Sequence, residues 1–167
     1  MMDRAVADTS ILAAFSAIDR LDLLRETCGE VFVVPAVYRE IVTEGAGWIA
    51  AASAQAAIIS GDGFHLIDPS SLEDGPSPPI PLGAGETEVL QYSALSGIPA
   101  LLDDSAARRA AELIGIAFVG SLGILKRAKD LGCLDEIRPL ISRMVKAGIY
   151  YSDTLIDDFL AAVGEKQ

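Results

Sequence analysis

Four groups of acidic residues stand where an α/β chain brings them to one edge of a sheet: Asp8, Glu40, Glu86 with Glu88, and Asp103 with Asp104. Two of these groups end short apolar runs, Ala5-Val6-Ala7-Asp8 and Ala100-Leu101-Leu102-Asp103-Asp104. In a parallel sheet, the C-terminal ends of the strands line the crevice where ligands bind. Carboxylates gathered there repel one another. A hard divalent cation such as Mg²⁺ relieves that repulsion, because it prefers oxygen ligands and retains several waters. The pattern points to metal-dependent chemistry on phosphate esters.

Each group also has an ordinary structural role. Asp8 follows a strand, where Asp often caps the next helix. Glu40 lies within Ala36-Val37-Tyr38-Arg39-Glu40-Ile41-Val42, close to the face of Ala36 and Val37 at helical spacing. Glu86 and Glu88 open a helix after Gly83 and Gly85, and acids in a first turn complement the helix dipole. Two residues apart, they do not share a face, so one serves the site and the other the helix terminus. Glu88 is the first choice for the site, with Glu86 close behind. Of Asp103 and Asp104, one is a candidate ligand and the other a cap for the helix beginning near Ser105; sequence leaves the choice open. Arg108 and Arg109 follow closely enough either to meet a phosphate or to pair with these acids.

The elements that must place these residues read as alternating strands and helices. Arg4 to Ala7 is a short strand, and Thr9 and Ser10 are placed to cap a helix through Ile11, Leu12, Phe15 and Ile18. A second helix covers Leu21 to Thr27, with Gly29 as its stop. Val31 to Val34 is an apolar strand of the kind buried on both faces. Pro35 suits the first turn of the next helix, which runs to about Thr43 and breaks at Gly45 and Gly47. Trp48 to Ile59 is helical and Phe64 to Ile67 a strand. Five prolines mark Asp68 to Gly83 as a loop. Then come a helix from about Gly85 to Ser96, a strand Ala100 to Leu102, a helix Ser105 to Ile114 and a strand Ala117 to Val119. Helices Leu122 to Leu131, Glu136 to Ala147 and Thr154 to Val163 follow, the last capped by Ser152 or Asp153. This order predicts an α/β domain with a mostly parallel sheet covered on both faces. Residues 1–167 read as one domain, with 135–167 as a helical extension.

Composition narrows the function classes. Of the 167 residues, 51% are apolar, so the chain can bury a sizeable core. The longest apolar candidate, Trp48 to Ile59, is too short for a membrane span. Asp3 and Asp8 stand where a signal peptide needs basic and then apolar residues, so a cytoplasmic location is the expectation. Cys28 and Cys133 lack metal-ligand spacing and read as reduced core thiols. A net charge of −11 argues against general nucleic-acid binding. Between Ser105 and Tyr150, however, eight basic residues stand against four acidic ones, which predicts either a phosphate-facing patch or solvated helix faces.

Other signals fail. Gly83-Ala84-Gly85-Glu86-Thr87-Glu88 lacks the third glycine of a dinucleotide loop. His65 is the single histidine and reads as structural. Neither a Walker A lysine motif nor a nucleophile elbow is present. Tyr150-Tyr151 could stack bases but more simply packs the base of the last helix.

The chain resembles a PIN domain. The resemblance rests on Val6-Ala7-Asp8-Thr9-Ser10, Val34-Pro35-Ala36-Val37-Tyr38-Arg39-Glu40, Gly85-Glu86-Thr87-Glu88-Val89 and Leu101-Leu102-Asp103-Asp104. It extends to Val119-Gly120-Ser121-Leu122-Gly123-Ile124-Leu125, as in a prokaryotic branch of PIN-like proteins. It implies a Rossmann-like sheet and cleavage of single-stranded RNA with Mg²⁺ or Mn²⁺. The implied metal site draws on Asp8, Glu40, Glu86 or Glu88, and Asp103 or Asp104. Asp8, Glu40, Glu88 and Asp103 are then the catalytic set, and Ser10, Arg108 and Arg109 the nucleic-acid contacts. Many relatives are toxins held by a small antitoxin, so such a partner and a homodimer are further expectations. Two departures stand out: Glu88 occupies a place that is Asp in many active members, and the proline-rich loop is long for a compact toxin. A fold retained for binding, with cleavage weak or lost, is the alternative.

Overall fold

A computed structural model describes residues 2–44 and 49–165. The breaks expected at Gly45 and Gly47, and the helix start at Trp48, lie outside the described residues. Five strands, β1 (Arg4–Ala7), β2 (Glu30–Val33), β3 (Phe64–Leu66), β4 (Ala100–Leu101) and β5 (Phe118–Val119), form one sheet. Every pairing is parallel, in the order β3-β2-β1-β4-β5. The register sets Ala5 opposite Val31 and Val6 opposite Ala100. Ala5, Val6, Ala7, Val31 and Leu101 are all fully buried, as strands covered on both faces require.

The chain winds outward from β1 to β2 and β3, then returns to β4 on the other side. The order therefore reverses between β1 and β4. At such a switch point the helices diverge to opposite faces and leave a crevice outside the strand ends. Asp8 follows β1 and Asp103 lies two residues beyond β4, so the topology alone sets these two acids at the crevice.

The helices are α1 (Thr9–Ala17), α2 (Asp22–Cys28), α3 (Pro35–Arg39), α4 (Ile49–Ser60), α5 (Ala84–Ser96), α6 (Ser105–Leu113), α7 (Ser121–Asp130), α8 (Arg138–Lys146) and α9 (Asp153–Ala162). Phe15, Leu24, Leu90, Ile124 and Leu125 join one core with the strands. Cys28 is buried in it, Cys133 is half-buried, and both are free thiols. His65 stands on β3, its ring stacked obliquely on Phe32 with centroids 5.3 Å apart. Pro35 opens α3, as expected.

Two differences from the sequence reading matter. The single helix expected from Pro35 to about Thr43 is a short α-helix that passes at Glu40 into a π-helical turn, Glu40–Glu44. Such wide turns inside helices recur at functional sites. The proline-rich segment holds a 3₁₀ turn, Pro69–Leu72, capped by Asp68, and Ile80 and Leu82 pack against the core.

At the C-terminal end, Glu165 closes the helical region. Its carboxylate accepts from Lys129 Nζ at 2.6 Å and from the Ile137 and Arg138 amides at 2.7 and 2.8 Å. Burial pushes this carboxyl up, but Lys129 and the two amides hold it below the ordinary Glu value. Ser152 caps α9 through the Leu155 amide.

Gly29 is the joint between α2 and β2. Its φ of 67° and ψ of −108° suit glycine. A Cβ there would sit 2.4 Å from the Asp3 carbonyl oxygen, the atom that accepts the Glu30 amide and starts the β1–β2 ladder. Gly29→Ala should destabilise the fold by about 1–3 kcal/mol from backbone strain alone, plus the displaced ladder contact. Gly61, also at φ 67° but facing open space, should cost about 1 kcal/mol when changed to Ala. Urea unfolding of both variants checks this; equal losses would show that the Asp3 contact adds nothing.

Candidate active site

Asp8 follows β1 in extended backbone, and its amide donates to Leu101 O of β4 at 3.2 Å. The carboxylate itself occupies the N-cap position of α1. Oδ1 accepts the Thr9 amide at 2.7 Å and Oδ2 accepts the Ser10 hydroxyl at 2.8 Å. The cap expected of Thr9 or Ser10 is therefore supplied by Asp8, because the helix begins one residue earlier than its hydroxyls suggested. Asp8 is only 3% exposed. Burial raises its carboxyl to about 6; the Ser10 and Thr9 hydrogen bonds pull it down, and the charges of Glu86 and Glu40 push it up.

Glu40 braces two helix starts. Thr9 Oγ1 donates to its Oε2, and the Gly85 amide donates to Oε1 at 3.0 Å. Gly85 is buried so closely against this carboxylate that a Cβ would lie 2.8 Å from both of its oxygens. Asp8, Thr9, Ser10, Ala13, Glu40, Gly83, Gly85 and Glu86 line a cavity of about 310 Å³. Glu86 opens α5 beside it, accepting the Gly83 amide at 2.9 Å. Glu88, the first choice from sequence, points elsewhere: Oε2 accepts the Ala36 amide at the start of α3 at 2.7 Å, and Oε1 lies 3.5 Å from Arg39. A two-residue step along α5 turns the side chain by about 200°, which carries Glu88 from the cavity to α3.

Across the switch point, Asp103 and Asp104 divide their roles. Asp104 caps α6, accepting the Ala107 amide at 2.9 Å. Asp103 Oδ1 accepts from Arg108 Nη2 at 2.9 Å and from the Ser121 amide at 3.0 Å. Arg108 also donates to Leu102 O at 2.8 Å and lies over the Phe118 ring, 5.8 Å from its centroid. Gly120 fits under this cluster; a Cβ there would fall 1.9 Å from Arg108 Nη2 and 2.8 Å from Asp103 Oδ1. Of the two roles open to Arg108, the structure gives it pairing with an acid, while Arg109 is exposed. Ser121 and its partner Tyr151 were not singled out for the site from sequence. The available signal was Gly120-Ser121 directly after β5.

Much of the locally basic segment is occupied within the fold. Arg127 donates to Thr27 O and Arg143 to Ile18 O, at the C-terminal ends of α2 and α1. Lys126 pairs with Asp130 and Lys129 with Glu165. Arg138 donates to Glu165 O. Among the described residues, Arg109 and Lys146 have no such partner. Of the two readings of this segment, a phosphate-facing patch is left with these two cations, because the other basic side chains find carboxylates or the carbonyls of helix C-termini.

Among the described residues no three acidic, histidine or cysteine side chains stand close enough together to enclose a metal ion. The donor chemistry still fits a hard cation. Asp8 is a buried carboxylate with no cationic partner among the described residues, and two further carboxylates share its cavity. Mg²⁺ needs only one or two protein carboxylates beside its waters. A larger hollow of about 690 Å³ lies at the opposite strand ends, against Met2, Arg4, Ile98 and Pro99, and carries no comparable set of acids.

The DUF3368 family model, a PIN domain, matches residues 4–165. The chain belongs to the PIN-domain family. PIN domains are generally nucleases, commonly act on nucleic acids and typically use divalent metal ions. No curated protein and no solved structure gives a significant match. No helix among the described residues is long and apolar enough to cross a membrane.

In this PIN domain the raised Asp8 carboxyl has a consequence for stability. Folded Asp8 holds its proton up to about pH 6, against 3.8 for the ordinary group. Between those values the folded state binds more protons, so stability falls as pH rises. Without divalent ions, Asp8→Asn should have its smallest effect near pH 4 and become progressively stabilising towards pH 7, by a difference of order 1–3 kcal/mol. Denaturant midpoints of both proteins across pH 4–8 measure this. Parallel profiles would mean that folded Asp8 titrates as the ordinary carboxyl does.

Proposed function

We propose that this PIN domain is a divalent-metal-dependent nuclease that hydrolyses phosphodiester bonds in single-stranded RNA. Asp8 carries the reading: a buried carboxylate at the switch point, with no cationic partner among the described residues, facing a cavity with Glu86 and Glu40. Asp8 and Glu86 are the ligands this geometry favours, with Asp103 opposite them at the end of β4. When bound, Mg²⁺ or Mn²⁺ would polarise the phosphoryl oxygen as a Lewis acid.

The chain's own groups do the rest. Ser10 and the Thr9 amide orient the Asp8 carboxylate. Glu40, with both oxygens bonded to neighbouring elements, holds the first turns of α1 and α5 together and fixes the distance between Asp8 and Glu86. Glu86 would orient an attacking water, and the products would carry 5′-phosphate and 3′-hydroxyl ends. Arg109 is exposed on α6 and, of Arg108 and Arg109, is the arginine that could meet the RNA backbone. The same reading extends to a toxin checked by a small antitoxin covering this cavity, and to a homodimer presenting two cavities.

A second reading is favoured by the hydrogen bonds of the acids. Glu88 and Asp104 cap helices and Asp103 is paired with Arg108. A site so occupied suits a binding module with weak or lost cleavage.

Incubation with a mixed RNA pool, with Mg²⁺ or Mn²⁺ and with or without chelator, separates the two. The nuclease reading expects cleavage that chelation abolishes. Asp8→Asn should lower it by about 10²-fold or more, as loss of a ligand worth several kcal/mol implies. Glu86→Gln should cost more activity than Glu88→Gln, whose main effect should be on stability. The reverse ranking would move Glu88 into the site. No chelator-sensitive cleavage of any substrate would leave the binding module.

A further inference from the structure

Tyr151 lies in the connector between α8 and α9, far along the chain from the acids. Its hydroxyl is 2.6 Å from Ser121 Oγ and 3.5 Å from Met144 Sδ. Ser121 is fully buried, so its hydroxyl depends on this partner. The Ser121 amide, in turn, donates to Asp103 Oδ1. A continuous path therefore runs from the Tyr151 phenol through the first residue of α7 to a carboxylate at the switch point. The neighbouring Tyr150 is 86% exposed, so of the two adjacent tyrosines only Tyr151 reaches this edge.

Without the Ser121 amide, Asp103 would be held by Arg108 alone, and Arg108 is anchored over Phe118 at the side of the sheet. With it, Oδ1 is held from two directions. Asp103 Oδ2 then has no hydrogen bond among the described residues and is the atom left for a cation or water. Burial raises the Tyr151 hydroxyl to about 12; the Ser121 bond lowers it and the Asp103 charge raises it. It therefore keeps its proton at neutral pH and can complete the bond with Ser121.

Resting on the nuclease reading above, we propose that Tyr151 is a positioning residue of the site: its hydroxyl fixes Ser121 and the start of α7, and through the Ser121 amide it sets the orientation of Asp103. Tyr151 touches neither substrate nor metal. A phenylalanine would fill the same space and remove only the connection.

The test is a double-mutant cycle on the full chain with Tyr151→Phe, Ser121→Ala and the double variant. Melting curves confirm that each variant folds. Hydrogen exchange at the Ser121 amide reads the connection directly, without requiring activity. Each single variant should lower its protection about tenfold, and the double variant no further, because residues in one network are not additive. In the RNA assay with Mg²⁺, kcat should fall about tenfold for each variant with KM unchanged, as expected when an interaction made in the transition state is lost. Unchanged protection in Tyr151→Phe overturns the proposal whether or not the protein cleaves RNA. Additive losses in the double variant also overturn it, since they assign the two residues to separate structural roles. Faster exchange with wild-type kcat reduces Tyr151 to packing and overturns it as well. A wild type that cleaves nothing defeats the nuclease reading by itself, and the exchange pattern then decides whether Tyr151 orients Asp103.

Discussion

Negative charge collected at the C-terminal edge of a parallel sheet must be balanced, and here the balance comes from helix N-termini. Each helix start presents amides with no partner in its own first turn and a partial positive charge. Asp104 meets α6, Asp103 meets α7, Glu88 meets α3, Glu86 meets α5, and Glu40 joins α5 to Thr9 of α1. Cations complete the pattern at other helix ends, where Arg127 and Arg143 reach carbonyls closing α2 and α1. The acids therefore hold the helices over the strand ends, and the same bonds leave a cavity between them. Asp8 is the exception. It caps α1, but its burial outweighs its two hydrogen bonds, so its charge remains only partly compensated.

That imbalance separates the architecture from the chemistry. A carboxylate whose charge is fully met by amides gains little from a metal ion. One that is buried, crowded by Glu86 and Glu40, and without a cation among the described residues gains much more. The fold holds Asp8 in this position between Ala7 before it and Ile11 in the first turn of α1, both fully buried.

Much of this was legible in the sequence. Asp8 and Asp103 declare themselves by ending apolar runs, and alternating strands and helices predict the sheet. What sequence cannot weigh is which distant helix start passes each acid. Glu86 and Glu88 open the same helix, so local spacing does not separate them; the choice depends on α3, 52 residues earlier in the chain, whose Ala36 amide donates to Glu88. Asp103 and Asp104 stayed open for the same reason, since the Ser121 amide belongs to another strand–helix unit. The π-helical turn at Glu40 is invisible because one widened turn hardly alters the apolar spacing of so short a helix. Basic residues read as a possible RNA surface, whereas most of them bond to carboxylates and carbonyls that sequence does not bring near.

Gly120 ties the order of evolutionary change to geometry. Adding a Cβ there forces away the guanidinium of Arg108, and with it the bonds to Asp103 and Leu102. A lineage that acquires alanine at 120 first loses both bonds at once. One that first replaces Arg108 with a short side chain leaves only the Asp103 carboxylate, 2.8 Å from the new Cβ, to give way when position 120 later changes. The cost of a side chain at 120 thus depends on which residue stands at 108.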